Sequence, residues 1–249
     1  MTDYEAIFKR KSFHLFRGTE PFTEEDRDKL LAFLPTVKAL DASIRTRILL
    51  VPAEETSCRC GASYCLLFYS EKKANTLRNI GYIGEQIDLF CAKENIGTVW
   101  FGLGKVKEPV KDGLDFIIMM ALDKVREDAF RKEMFKARRK PLDETWQGEP
   151  LPAGEIARFA PSACNSQPWR VKRNGGELAV YRHHKNGRIG IMSPEKANYF
   201  NRIDMGIYLC ILEVCLAHDG LTFTRTLADD TDDTAENALT AVYRLEKTV

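Results

Sequence analysis

The second half of this chain repeats, weakly but in order, the pattern of the first, and a duplication constrains a fold more than any single motif does. Arg10-Lys11-Ser12 and Arg17-Gly18-Thr19-Glu20-Pro21 precede a short amphipathic stretch ending at Leu34-Pro35. Arg139-Lys140-Pro141 and Gln147-Gly148-Glu149-Pro150 precede another, ending at Ala160-Pro161. A hairpin pattern follows each. In the first half it joins the β-rich runs Arg45 to Val51 and Cys65 to Tyr69. In the second, Val171-Lys172-Arg173 and Glu177 to Tyr181 flank Asn174-Gly175-Gly176, a tight-turn signal because Asn and Gly tolerate positive φ.

Each half then carries a long apolar-periodic segment. Leu77, Ile80, Gly84, Ile87 and Cys91 recur at spacings of three and four and so share one helix face, as do Ile203, Ile207, Cys210, Ile211 and Val214. The additional apolar residues Ile83 and Phe90 imply burial of the first helix on more than one side. Lys93-Glu94-Asn95-Ile96 and His218-Asp219-Gly220-Leu221 end the helices alike, and the runs Phe116 to Leu122 and Leu239 to Leu245 close the halves as strands. The order helix, hairpin, central helix, strand, occurring twice, predicts an α+β protein of two similar subdomains, residues 1–137 and 138–249. The competing reading is two unrelated α+β segments that happen to look alike.

At 249 residues the chain can bury a substantial core. A net charge of +1 gives no electrostatic footprint for nucleic acid and no acidic interaction tail. The first residues, Met1-Thr2-Asp3-Tyr4-Glu5, lack the apolar run of a signal peptide, and the most apolar stretch, Phe116 to Leu122, is strand-sized, so no membrane span is expected. Seven scattered cysteines, an odd number, fit reduced thiols and a cytoplasmic location better than a disulfide framework. Cys58-Arg59-Cys60 and Cys65 form a small cluster, but no His or further Cys follows at zinc spacing, and no metal is expected.

Two segments carry chemistry. From Pro161 to Trp169, two prolines bracket a polar stretch held out of helix, with small residues Ser162 and Ala163 and amides Asn165 and Gln167. Small residues let backbone N–H groups approach a planar ligand, and amides offer paired donor and acceptor edges, as a flavin ring requires; a plain polar loop is the alternative. Arg10-Lys11-Ser12-Phe13-His14 places two cations beside a hydroxyl, a phosphate cradle or a solvated basic turn. Lys136-Ala137-Arg138 is a second basic pair, which alone reads as surface charge.

These residues resemble the nitroreductase family of FMN-dependent oxidoreductases, and in particular its single-chain branch built as a tandem pseudo-dimer. Arg10 to Phe16 is similar to the N-terminal Arg-Arg-Ser-x-Arg-x-Phe segment that holds the FMN phosphate and ribityl chain. Pro161 to Trp169 is similar to Pro-Ser-x-x-Asn-x-Gln-Pro-Trp, the segment that faces the flavin across a dimer interface. The resemblance implies that Arg10, Lys11 and Ser12 contact the phosphate end, with His14 replacing a basic residue, and that Lys136 and Arg138 join them. It implies that Pro161, Ser162, Ala163 and Asn165 line the isoalloxazine, that Gln167 also binds the cofactor, and that Phe101-Gly102-Leu103, within Trp100 to Gly104, lies near flavin N5. Leu34-Pro35-Thr36-Val37-Lys38 in the first half lacks the amides, and Pro141-Leu142-Asp143 in the second lacks the serine. Each half therefore keeps part of a site, and the resemblance implies a nitroreductase-like fold with one FMN site at the interface of the subdomains.

The function implied is NAD(P)H-driven, two-electron, ping-pong reduction of nitroaromatic, quinone or related acceptors by hydride transfer through flavin N5. FMN would be bound and NAD(P)H would be the transient reductant. No acid–base catalytic pair is visible. A monomer would suffice, because the dimer is internal. The alternative is a flavin-binding module for storage or sensing, without turnover. Cys164, beside the loop, is expected to be an apolar filler rather than a redox partner of the flavin.

Overall fold

Thr2 and Thr23 each start a helix by the same device. The threonine hydroxyl accepts the backbone N–H three residues on, and the side chain of that residue, Glu5 or Asp26, reaches back to the threonine N–H. The helices are α1 (Asp3–Lys9) and α2 (Glu24–Phe33). There follow β1 (Thr46–Pro52), β2 (Tyr64–Ser70), α3 (Thr76–Lys93), β3 (Ile96–Phe101), β4 (Val110–Lys111) and β5 (Leu114–Lys124). The second half contains α4 (Leu142–Thr145), β6 (Trp146–Gln147), α5 (Pro152–Ala157), β7 (Trp169–Asn174), β8 (Glu177–His183), α6 (Pro194–His218), β9 (Leu221–Leu227) and β10 (Asn237–Lys247). This computed structural model describes residues 1–184, 187–230 and 235–247.

The chain forms two compact units, Met1–Thr76 with Ile83–Met134, and Leu77–Tyr82 with Phe135–Val249. In the first, the sheet runs β1-β2-β5-β3 with β4 against β5, all antiparallel. In the second it runs β6-β7-β8-β10-β9, antiparallel except for the short parallel pair of β6 with β7. Hairpin, long helix, then two more strands with the last one inserted beside the hairpin describes both units. The hairpin β7–β8 closes on Gly175 at φ +56°, the conformation its sequence calls for, while Asn174 still pairs with Glu177 inside the ladder.

The observed division falls at Met134/Phe135 rather than between residues 137 and 138, and it passes through α3. Leu77–Tyr82 goes with the second unit for a steric reason. A Cβ on Gly81 would stand 2.0 Å from the Ile203 carbonyl oxygen, and one on Gly206 would stand 1.9 Å from that of Arg78. Backbones in van der Waals contact through paired glycines bind this turn closely to α6. Both long helices are largely buried. Ile80, Ile87 and Cys91 are fully enclosed on α3, as are Leu209, Ile211 and Leu212 on α6, and Ile83 is buried too, as the extra apolar positions require.

Besides the short β4, α4 and β6, three elements go beyond the sequence expectation. The Lys93-Glu94-Asn95 helix end leads straight into β3, with Asn95 at φ +59° making the turn, and β9 follows Gly220 at φ +71° in the same way. Helix α1 is the third; its capping box precedes a segment too short to show helical periodicity.

Candidate functional site

In the first unit, Arg10 lies at the end of α1, buried to 3% exposure. Its Nε donates to Asp88 Oδ2 on α3 at 2.9 Å and lies 3.8 Å from Glu85 Oε1, while Nη2 donates to Ser12 Oγ at 3.3 Å. Burial lowers the Arg10 pKa, but the charge and hydrogen bond of Asp88, together with Glu85, raise it overall. Burial, reinforced by the charge of Asp88, pushes the Glu85 carboxyl well above the carboxylate range. Asp88 also accepts the Thr98 hydroxyl. Ser12 bridges to Thr98, and the Phe13 N–H donates to the Thr98 carbonyl at 2.8 Å. The segment is thus laid along β3.

That strand ends at Phe101, so Phe101, Gly102 and Leu103 follow Thr98 by three, four and five residues, the last two in the turn after the strand. The unit brings Arg10 and Ser12 together and sets Phe101, Gly102 and Leu103 at the end of the same strand; Gly102 and Leu103 are exposed. Lys11 is exposed, with Nζ donating to the Ala129 carbonyl at 2.9 Å, and His14 is exposed. Arg131 has its pKa lowered to about 10 by burial and then by the charge of Arg10, which places a second cation nearby.

In the second unit the loop from Pro161 to Trp169 is conformationally strained. Cys164, Asn165 and Gln167 have φ of +48°, +54° and +49°, and only two other non-glycine residues among those described have positive φ. Left-handed backbone at a residue with a Cβ persists where surrounding contacts impose it, most often at ligand sites. The contacts are specific. Asp204 on α6 accepts the Ala163 N–H at 3.0 and 3.2 Å and the Ser166 hydroxyl at 3.3 Å; that hydroxyl also donates to Asn201 at 2.8 Å. The Gln167 N–H donates to Ser162 Oγ at 3.0 Å. Trp169 stacks on Tyr208 of α6, centroids 4.8 Å apart and planes 10° from parallel, which pins the loop's end. Burial pushes the Asp204 carboxyl up to about 8, against the opposing pull of the Ala163 and Ser166 donors.

The two amides behave differently from the expectation that they offer free edges to a ligand. Asn165 accepts from Arg139 Nη1 at 2.8 Å and donates to the Arg138 carbonyl at 3.0 Å. Gln167 accepts the Lys140 N–H at 2.7 Å and donates to the Asn165 carbonyl at 3.1 Å. A strained loop needs such internal ties, and the amides provide them by clamping it to the 138–140 segment. Lys136 and Arg138 are exposed beside this clamp. Pro161 is buried, and Ser162 and Ala163 are half-buried. A cleft of about 480 Å³ opens next to the loop, lined in part by Cys164, Asn165, Ser166, His183 and Asn201.

Against this geometry, the family model described as "Putative TM nitroreductase" matches residues 3–215. The chain belongs to this nitroreductase family. A crystal structure titled as a putative nitroreductase from Thermotoga maritima is 22% identical, with 98% of this chain and 93% of that chain covered and a TM-score of 0.62, so the two share a fold. A nitroreductase family protein from Clostridium difficile is 15% identical over 61% of this chain and all of its own, with a TM-score of 0.46. A nitroreductase with bound FMN from Desulfitobacterium hafniense is 11% identical over 57% of this chain and all of its own, with a TM-score of 0.41. No curated protein matches. Family membership makes this chain an oxidoreductase with a nitroreductase fold.

The residues present include donors of the kind an FMN phosphate needs. In the first unit, the Arg10 fork and Ser12 hydroxyl are adjacent, and Arg131 adds a second cation nearby. In the second, Lys136 and Arg138 are solvent-facing cations. Asp88 and Glu85, and Asn201 and Asp204, were missed in the sequence. Their signal was there: a pair of polar residues three apart inside the most apolar helix of each half. Among the described residues, no helix is long and apolar enough to cross a membrane, and no group of three or more His, Cys, Asp or Glu side chains is placed to hold a metal ion.

Proposed function

We propose that this nitroreductase binds FMN and works as an NAD(P)H-driven reductase of nitroaromatic, quinone or related two-electron acceptors. The observation that carries the reading is the strained loop from Pro161 to Trp169, whose left-handed residues are held by Asp204, Asn201 and Arg139. Bound FMN would supply the chemistry, taking a hydride from the nicotinamide at N5 and passing two electrons to the acceptor.

The chain's own residues bind and orient. Arg10 and Ser12, fixed in direction by Asp88, would hold the phosphate, assisted by Lys11 and His14 of the same unit; Lys136 and Arg138 are the candidate anion-binding cations of the second unit. Asp88 acts through Arg10 and is a positioning residue. Pro161, Ser162 and Ala163 would form a wall of small residues at the ring site, and Asn165 and Gln167 fix that wall in shape rather than reading the ring's edge. The backbone of Phe101, Gly102 and Leu103 lines the reactive edge.

The absorbance spectrum of the purified protein tests this, before and after anaerobic addition of NADH or NADPH. A flavin band that bleaches with either nucleotide and returns with a quinone or nitroaromatic is the expected result. Colourless protein that takes up no added FMN would overturn the proposal. A bound flavin that neither nucleotide reduces would favour a binding module without turnover.

A further inference from the structure

The cysteine cluster of the first unit is not among the candidate cofactor-binding residues. Cys58 and Cys60 stand in the loop between β1 and β2, both buried, with Sγ atoms 3.2 Å apart. A disulfide bond is about 2.05 Å long, so the sulfurs must close by about 1 Å, and across a single intervening residue that closure draws on the backbone as well as the side chains. The third cysteine, Cys65, is on β2, and its sulfur contacts the Thr56 hydroxyl at 3.8 Å.

The loop is wired to both parts of the first unit's candidate site. The Phe16 N–H, just beyond the Arg10–His14 segment, donates to the Cys60 carbonyl at 2.8 Å. Gly61, at φ +83°, passes so close beneath Phe16 that a Cβ there would lie 2.7 Å from the Phe16 carbonyl oxygen. On the other side, Ser57 and Lys105 exchange hydrogen bonds. The Ser57 N–H donates to the Lys105 carbonyl at 3.0 Å and the Lys105 N–H to Ser57 Oγ at 2.7 Å, immediately after Phe101-Gly102-Leu103-Gly104. A covalent bond across Cys58-Arg59-Cys60 must bend the intervening backbone, and these are the contacts that would feel it.

We propose that Cys58 and Cys60 are a reversible dithiol–disulfide site, oxidised by small disulfides such as oxidised glutathione, whose closure displaces the Phe16 and Lys105 segments. Whichever thiol reacts first loses its proton to solvent and attacks the small disulfide. A mixed disulfide forms, and one glutathione thiolate leaves and is protonated. The second protein thiol, deprotonated in turn, attacks the sulfur of the first, and the other glutathione leaves as a thiol. Two protein thiols become one disulfide, and one small disulfide becomes two thiols. A ring closed over a single intervening residue is strained, which makes the bond easily reduced and the site switchable. Burial, then the Cys58 neighbour, pushes the Cys60 thiol up to about 11, so oxidation speeds up as pH rises.

The test uses full-length protein equilibrated in glutathione buffers of increasing oxidised fraction, thiol-blocked, and digested with trypsin without reductant. Cleavage after Arg59 separates residues 48–59 from 60–72, so a Cys58–Cys60 bond leaves these peptides joined. The link should form in the wild type and in Cys65→Ser, vanish on reduction, and be absent in Cys58→Ser. Loss of the link in Cys65→Ser, or no link in fully oxidised buffer, would overturn the site. Hydrogen exchange tests the coupling on wild-type protein alone: the Phe16 and Lys105 amides should exchange at least several-fold faster when oxidised. Unchanged exchange in protein shown to carry the bond would overturn the coupling. Neither readout requires bound flavin, so failure here is separable from failure of the FMN reading.

Discussion

The buried carboxyl of Asp204 accepts the backbone N–H of Ala163 at 3.0 Å, and through it the central helix of the second unit holds the Pro161–Trp169 loop. This carboxyl has a consequence for stability. Its pKa is raised from an ordinary 3.8 to about 8 by burial, so between those values the folded chain keeps a proton that the unfolded chain has released. The group's contribution is therefore fully present below the ordinary carboxylate range and is lost as pH rises towards about 8. The limiting slope is about 1.4 kcal/mol per pH unit. Chemical denaturation from about pH 5 to about pH 9 should show wild-type stability falling relative to Asp204→Asn, which has no proton to lose. Parallel profiles would exclude the effect.

The first unit uses Asp88 in the corresponding way, holding Arg10 at 2.9 Å inside the protein. Asp88→Ala would leave a guanidinium buried to 3% exposure without its counter-charge, and breaking a buried pair from one side costs about 3–5 kcal/mol. Thermal or urea unfolding should reveal that loss. Arg10→Ala should weaken FMN binding by about ten- to a hundredfold, the worth of a hydrogen bond to a charged group. Arg10→Ala also strands Asp88, so the Arg10→Ala/Asp88→Asn pair serves as the control; its FMN affinity should stay low while stability partly recovers. Equal affinity in all the variants would remove Arg10 from the phosphate site.

The repeat, the hairpins and the central helices were legible because they rest on periodicity over many residues, which burial enforces. β9 is harder to read, since Arg225 interrupts the alternation of Leu221, Phe223 and Leu227 and the strand borders the helix-end signal. The loop's importance was plain from Pro161 and Pro168, but the role of its amides was not. Whether Asn165 faces a ligand or clasps Arg138 and Arg139 depends on backbone φ, and no local sequence signal reports that Cys164, Asn165 and Gln167 all turn left-handed. The carboxylates of α3 and α6 were hidden for the opposite reason. Polar residues in an apolar helix look like its solvent side until packing shows that the helix has none.

The glycine contact in the second unit gives a steric prediction. Gly206→Ala would set a methyl group against the Arg78 carbonyl at an unrelaxed 1.9 Å, and Gly81→Ala would do the same against Ile203 at 2.0 Å. Backbone of a buried helix cannot step aside as a flexible side chain would. Each substitution should cost about 1–3 kcal/mol or more, with the double substitution worse than either. Denaturant midpoints would measure this; a neutral Gly206→Ala would mean the helices are free to separate.

Strain and clamping in the Pro161–Trp169 loop can be separated at Asn165. The residue has φ +54° and two side-chain hydrogen bonds, to Arg139 and to the Arg138 carbonyl. Asn165→Gly removes the bonds but accepts the left-handed backbone readily; Asn165→Ala removes the bonds and adds the steric penalty of about 1–2 kcal/mol that a Cβ meets there without a compensating amide. The glycine variant should therefore be the more stable of the two, by about 1 kcal/mol in urea unfolding. Both should disturb the flavin spectrum or weaken FMN, because the loop's shape depends on the clamp. If the spectrum changes in alanine but not in glycine, backbone conformation alone shapes the ring site. If it changes in neither, the loop does not contact the flavin.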